Sequence, residues 1–156
     1  MSIKKRAFYF FCACCLLFSL VGCGKKEDTT LADGMFLMLS STVKGEAVET
    51  YEMYTLHAEI SDNGNVRIYA DDFNRWVPSD PCPEETVQLS ADTIQQIKDI
   101  IDEIDLYHMR RNIGSRDLKD GEYKELTLYT ASGEHVSGGL NPSNREFLKL
   151  YDYVED

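Results

Sequence analysis

The sequence predicts an α+β fold: an antiparallel sheet of about four to five strands with two helices packed on one face, a two-layer sandwich. Three observations lead there. Two stretches alternate apolar and polar residues and fold back on turn motifs, and two others carry apolar residues at helical spacing. Their order is hairpin, helix, hairpin, helix, and elements with one apolar face each bury it most simply in two layers. With 43% apolar and 28% charged residues, the 156-residue chain has the composition of a folded protein rather than a disordered or low-complexity one.

The first candidate strand is the apolar run Met35-Phe36-Leu37-Met38-Leu39. Tyr54, Leu56, Ala58 and Ile60 then alternate with Thr55, His57, Glu59 and Ser61. Asp62-Asn63-Gly64-Asn65 supplies turn chemistry with an Asn-Gly step, and Val66, Ile68 and Ala70 return, so the pair reads as a β-hairpin. Ser90 can cap a helix whose stripe is Ile94, Ile97, Ile101 and Ile104, widened by Ile100. Lys98 and Asp102 stand four apart and are expected as a pair on its outer face. β-Branched residues are mediocre helix formers, so this helix must be held by packing on the sheet. The second hairpin runs from Tyr123, Leu126, Leu128 and Tyr129 through Ala131-Ser132-Gly133-Glu134 to Val136–Leu140. Asn141-Pro142 offers a helix start, and Phe147, Leu148, Leu150, Tyr151 and Val154 give the last apolar stripe. The order of elements repeats, although the two halves do not align residue by residue.

Ahead of this domain, Lys4-Lys5-Arg6 precedes 14 uncharged residues, Ala7 to Leu20. A membrane-spanning helix needs about 20 apolar residues, whereas a basic start followed by 7–15 apolar residues matches a secretory signal. Leu20-Val21-Gly22-Cys23 follows and resembles the lipobox of bacterial lipoproteins, with an apolar residue three before the cysteine and a small one directly before it. That resemblance covers residues 1–23. It implies diacylglyceryl transfer to the Cys23 thiol, cleavage after Gly22, and an exported, membrane-anchored protein. Two acyl chains at about 0.8 kcal/mol per buried CH₂ are enough for stable anchoring. The organisation expected is therefore a lipoprotein signal peptide over 1–22, a flexible tether over 23–34 and one α+β domain over 35–156. The domain's layout also resembles that of small, uncharacterised lipoproteins with a strand-rich start and a closing helix, a likeness of pattern that implies no activity.

Sorting the composition by position sharpens it. Three of the 16 basic side chains and none of the 27 acidic ones precede residue 23, so residues 23–156 carry 13 against 27, or −14. Such a chain is poorly suited to bind nucleic acid through charge. Of five cysteines, Cys12, Cys14 and Cys15 belong to the signal and Cys23 to the lipid, leaving Cys82. One thiol cannot form an internal disulfide, so stability must come from the core. Burial of about two-thirds of the unfolded surface is feasible at this size.

Catalytic and cofactor motifs are missing. None of His57, His108 and His135 stands in a metal-ligand spacing, and no C-x-x-C, G-x-S-x-G, S-x-x-K, G-x-G-x-x-G or P-loop pattern occurs. His57 and His135 are expected as solvated side chains on polar-facing strand positions, and His108 as a cation complementing a helix C-terminus. The acidic turns around Asp62 and Asp117 depart from the calcium-loop pattern, since Arg116 and Leu118 stand where oxygen ligands would be. Cys82 lies among Asp80, Glu84 and Glu85, whose charges oppose thiolate formation. No cofactor beyond the covalent lipid is expected.

Two segments are candidates for binding. The loop from Phe73 to Glu85 holds three prolines within six residues and the only tryptophan, Trp76. Shaped loops and tryptophans recur at binding sites, although core closure by Phe73 and Trp76 is the simpler account. Between Tyr107 and Gly121, Arg110, Arg111 and Arg116 gather cations in an acidic chain, suited to an anionic partner or merely solvated. The expected function is a non-catalytic binding or accessory module, tethered by its lipid, with an envelope protein or small ligand as partner. The alternatives are a small hydrolase or inhibitor-like domain with a dispersed site, and a structural envelope protein.

Overall fold

A six-stranded antiparallel sheet, in the order β4-β3-β2-β1-β5-β6, carries two helices in the computed structural model, which describes residues 28–44, 54–72, 84–115 and 121–155. The strands are β1 (Met35–Lys44), β2 (Tyr54–Ser61), β3 (Asn65–Asp72), β4 (Glu84–Gln88), β5 (Gly121–Thr130) and β6 (Gly133–Leu140). Helix α1 is Ala91–Glu103, a 3₁₀ turn covers Leu106–His108, and α2 is Arg145–Glu155. The class is α+β as expected, but the sheet has six strands rather than four to five.

Apolar alternation explains one face. Leu37 pairs with Ile60 and Leu128, Ile60 with Val66, and Leu39 with Leu126. All six are buried, in one cluster with Ile94, Ile97, Ile101 and Ile104 of the first helical stripe and Phe147, Leu150 and Tyr151 of α2. A register shift between Met35 and Leu37 inserts a bulge, so the consecutive residues Phe36 and Leu37 are both fully buried. The expected turns form: Gly64, at φ +86°, closes the three-residue loop between β2 and β3, and Ala131-Ser132 joins β5 to β6. Ser90 caps α1, its Oγ accepting from the Thr93 N–H at 3.1 Å.

Several local expectations are corrected. Lys98 does not pair with Asp102: its Nζ lies 5.2 Å over the Phe36 ring, and Asp102 accepts from the Tyr107 hydroxyl. Asn141 does not start the last helix. It sits at φ +46°, with its Oδ1 accepting from the Glu122 N–H, and Asn144 caps α2 by accepting from the Phe147 N–H. His108 is held by Asp105 at 2.7 Å within the 3₁₀ turn, beyond the end of α1.

The expected tether is partly docked. Leu31 bridges to Thr130, the Ala32 N–H donates to the Tyr129 carbonyl, and the Thr30 carbonyl accepts from Ala131. The Gly34 carbonyl accepts from the Asp62 N–H. These bonds fix residues 30–34 to the hairpin turns at one end of the sheet. Cys23 lies outside the described residues.

Candidate functional site

The helices cover one face of the sheet, and the opposite face carries the candidate site. Alternation places Ser40 and Thr42 of β1, His57 and Glu59 of β2, Arg67, Tyr69 and Asp71 of β3, and Tyr123 and Glu125 of β5 on this second face. It is polar in composition yet closely packed. Ser40, Thr42 and Thr127 are buried, with Thr42 and Thr55 hydrogen-bonded through their hydroxyls at 2.6 Å.

Its β2–β3 half is an ionic and aromatic lattice. The Arg67 guanidinium binds Glu84 of β4 at 2.8 and 3.3 Å, reaches Glu59 at 3.5 Å, and lies 4.4 Å from the centre of the Tyr69 ring. The hydrogen bonds from Arg67 hold the Glu84 carboxyl below its ordinary range. Burial, with a hydroxyl bond to Glu59 at 2.8 Å, pushes the Tyr69 phenol up to about 12. His57 stacks on Tyr69 with centroids 5.0 Å apart, meets Ser40 Oγ through Nδ1 at 2.9 Å, and meets Asp71 through Nε2 at 3.3 Å. His57 is thus clamped among three strands rather than solvated. His135 is also engaged, its Nε2 2.9 Å from the Met109 carbonyl.

At the other end of this face a cavity of about 560 Å³ opens between β5, β6 and the segment after the 3₁₀ turn. That segment runs along the outer edge of β6. Ile113 and Ser115 donate backbone N–H groups to the carbonyls of Gly138 and Leu140 at 2.9 and 2.8 Å, and Gly138 donates to the Arg111 carbonyl at 3.0 Å. Glycines permit the approach: a Cβ on Gly114 would lie 2.5 Å from the Leu140 nitrogen, and one on Gly139 2.5 Å from the Gly114 nitrogen. The strap both protects the sheet edge and delivers Arg111 to the cavity.

The walls include Arg111, Asn112, Ser115, Tyr123 and Glu125. Tyr123 donates its hydroxyl to Glu125 at 3.0 Å. Burial chiefly, then the Glu125 charge, raise its pKa, while Arg111 opposes the shift. The phenol therefore lies within the fields of both charges and stays protonated at neutral pH. Among the described residues Arg111 makes no ion pair. Asn112 Oδ1 accepts from the Gly114 N–H at 3.1 Å, which leaves its Nδ2 hydrogens for another partner.

Of the residues singled out from sequence, Arg110 and Arg111 are both exposed; Arg111 lines the cavity, and the Arg110 carbonyl accepts from Ser137. Phe73, Trp76, Cys82 and Arg116 lie outside the described residues, as does Cys23. Tyr123, Glu125 and Asn112 were not singled out. Glu125 follows a strand's ordinary polar alternation, and the β6 glycines that let Asn112 come close, Gly138 and Gly139, are 26 and 27 positions away in the chain. Among the described residues no group of His, Cys, Asp and Glu is arranged to hold a metal ion, and no helix is long and apolar enough to cross a membrane. Sequence comparison finds no matching family model and no significantly similar curated protein.

Proposed function

We propose that this protein is a lipid-anchored lipoprotein of a bacterial envelope whose α+β domain is a non-catalytic binding module, with the helix-free sheet face as its ligand surface. The observation that carries the reading is the cavity at the β5–β6 end, where Arg111 has no ionic partner among the described residues in a mature chain of net charge −14. A side chain able to make five hydrogen bonds, standing in a cleft of ligand size, is a recognition element. The anchor rests on Leu20-Val21-Gly22-Cys23 and the basic, apolar stretch before it.

The docked chain start gives this reading a direction. Cys23 precedes Asp28 by five residues, a reach of at most about 18 Å. With the anchor at Cys23, the end of the sheet carrying the β2–β3 and β5–β6 turns is held within that reach of the bilayer. Tyr123 lies seven residues back along β5 from Thr130, about 23 Å along the strand, which sets the cavity toward the end of the sheet opposite the anchor.

A second reading, a small hydrolase, is favoured by one contact set: Ser40 Oγ, His57 and Asp71 stand in the order of nucleophile, base and orienting acid. It ranks second because acyl transfer needs free donors aimed at the developing oxyanion. Strand β1 is paired along both edges, so the backbone N–H groups around Ser40 are committed to ladders. Covalent labelling of Ser40 by a fluorophosphonate would reverse that ranking.

The test of the main reading has two arms. Cys23→Ser is expected to move the protein from the membrane to the soluble fraction. A photo-crosslinking side chain in place of Arg110, beside the cavity, is expected to capture a ligand or partner that the same group in place of Gln95, on the outer surface of α1, does not. Membrane retention of Cys23→Ser refutes the anchor, and equal capture from both positions refutes the binding face.

A further inference from the structure

We infer that the Arg111 cavity is a site for a small zwitterion, a free amino acid or short peptide with unblocked ends, held by its carboxylate on Arg111 and by its ammonium on Glu125. The inference rests on the binding-module reading and gives that module's ligand a chemical class.

Three features carry it. The first is the separation of charge within one cleft. Arg111 and Glu125 both line the cavity, yet they do not pair with each other, although ion pairs elsewhere on the domain, such as Arg67–Glu84 and Lys149–Glu103, do close. A cation and an anion that line one cavity of about 560 Å³ without pairing match a ligand carrying the opposite charges at its two ends. A guanidinium takes a carboxylate in a two-bond fork, and Asn112 and Ser115 of the same segment also line the cavity and carry an amide and a hydroxyl for further bonds.

The second feature is what Glu125 still has to offer. Among the described residues its side chain is bonded by the Tyr123 hydroxyl, which donates to Oε2 at 3.0 Å. A carboxylate accepts about four hydrogen bonds, so Oε1 and the remaining lone pairs can receive an ammonium. The Tyr123 bond fixes the carboxylate in place, as a preorganised recognition group requires.

The third feature excludes the simpler ligands. With 27 acidic against 13 basic side chains after residue 22, the protein's field repels a small free anion. A purely cationic ligand would meet Arg111. A zwitterion has no net charge for the field to repel and satisfies both walls.

Titration calorimetry on the full-length protein in detergent micelles tests this with three probes: trialanine, N-acetyl-trialanine and trialanine amide. Trialanine is expected to bind, and blocking either end is expected to weaken binding about 10- to 100-fold, the value of one charge-assisted contact. Arg111→Gln should erase the penalty for amidation but keep that for acetylation, and Glu125→Gln, which retains an acceptor for Tyr123, should do the reverse. Unchanged thermal unfolding of both variants separates lost contacts from lost structure. Equal affinity for all three probes, no binding by any of them, or variants that leave both penalties intact overturn the inference. If it falls while the crosslinker at position 110 still captures selectively, the binding-module reading survives with another ligand class. Loss of both removes the reading itself.

Discussion

Gly114→Ala isolates what holds the cavity together. Its backbone does not occupy the left-handed region, so alanine brings no conformational penalty there. The problem is space. The new Cβ would stand 2.5 Å from the Leu140 nitrogen and 2.9 Å from the Gly139 Cα, all backbone, where ordinary contacts begin at 3.4 Å. No rotamer relieves this, so the strap must lift by close to an ångström. Three hydrogen bonds then lengthen or break: Ile113 N–H to Gly138, Ser115 N–H to Leu140, and Gly138 N–H to Arg111. At about 0.5–1.5 kcal/mol each, with water free to satisfy the exposed β6 edge, the expected cost is about 1–3 kcal/mol. Opening should be local, because the main core cluster gains no cavity. Amide hydrogen exchange checks it: the Ile113, Ser115 and Gly138 amides should lose protection while β1 and β5 amides keep theirs, and trialanine binding should fall with them. A Gly114→Ala protein with full protection at those three amides would refute the steric account of the strap.

Three further outcomes follow from the same geometry. Ser90→Ala removes the cap of α1 and should cost about 1 kcal/mol in urea unfolding, since the Thr93 N–H loses its acceptor. Edge strand β4 should loosen in acid: Arg67 depresses the Glu84 carboxyl, so its contribution is full above the ordinary carboxylate range near 4.3 and is lost as pH falls through the lower folded value. Hydrogen exchange in β4 at pH 7 and pH 3 reads this out, and Glu84→Gln should loosen β4 already at pH 7. Finally, Tyr69, Tyr107 and Tyr151, each raised to about 12 chiefly by burial, contribute stability that is complete below pH 10 and is lost as pH rises toward 12. Ultraviolet titration should find at least three tyrosines ionising late, and simple ionisation of all tyrosines near pH 10 would contradict their burial.

Where burial on one face was the organising force, the fold was legible in the chain. The isoleucine stripe of α1, the Asn63-Gly64 turn and the alternation in β2, β3 and β5 all report periodic contact with a single core. Strand β4 was not legible, because all five of its residues are exposed and nothing in Glu-Glu-Thr-Val-Gln alternates usefully. It exists by pairing with β3 and by the Arg67–Glu84 contact. The second half of β1 was hidden for a different reason. Ser40, Ser41 and Thr42 read as polar, yet they run through the middle of the sheet with their hydroxyls satisfied by His57, Glu122 and Thr55 from neighbouring strands. Of the candidate site, Arg111 was visible as a cation in an acidic chain, but the residues that line the cavity with it were not.

The sequence by itself determined the class of fold, the core and a lipobox-like N-terminus, because periodic burial and a short linear motif are local properties of a chain. Only the tertiary structure decided which polar residues share a face, that the segment before Met35 docks on the hairpin turns, and that Arg111 and Glu125 stand in one cleft. Those facts depend on strand order and on glycine-permitted backbone contacts between segments distant in the chain. No local pattern records them.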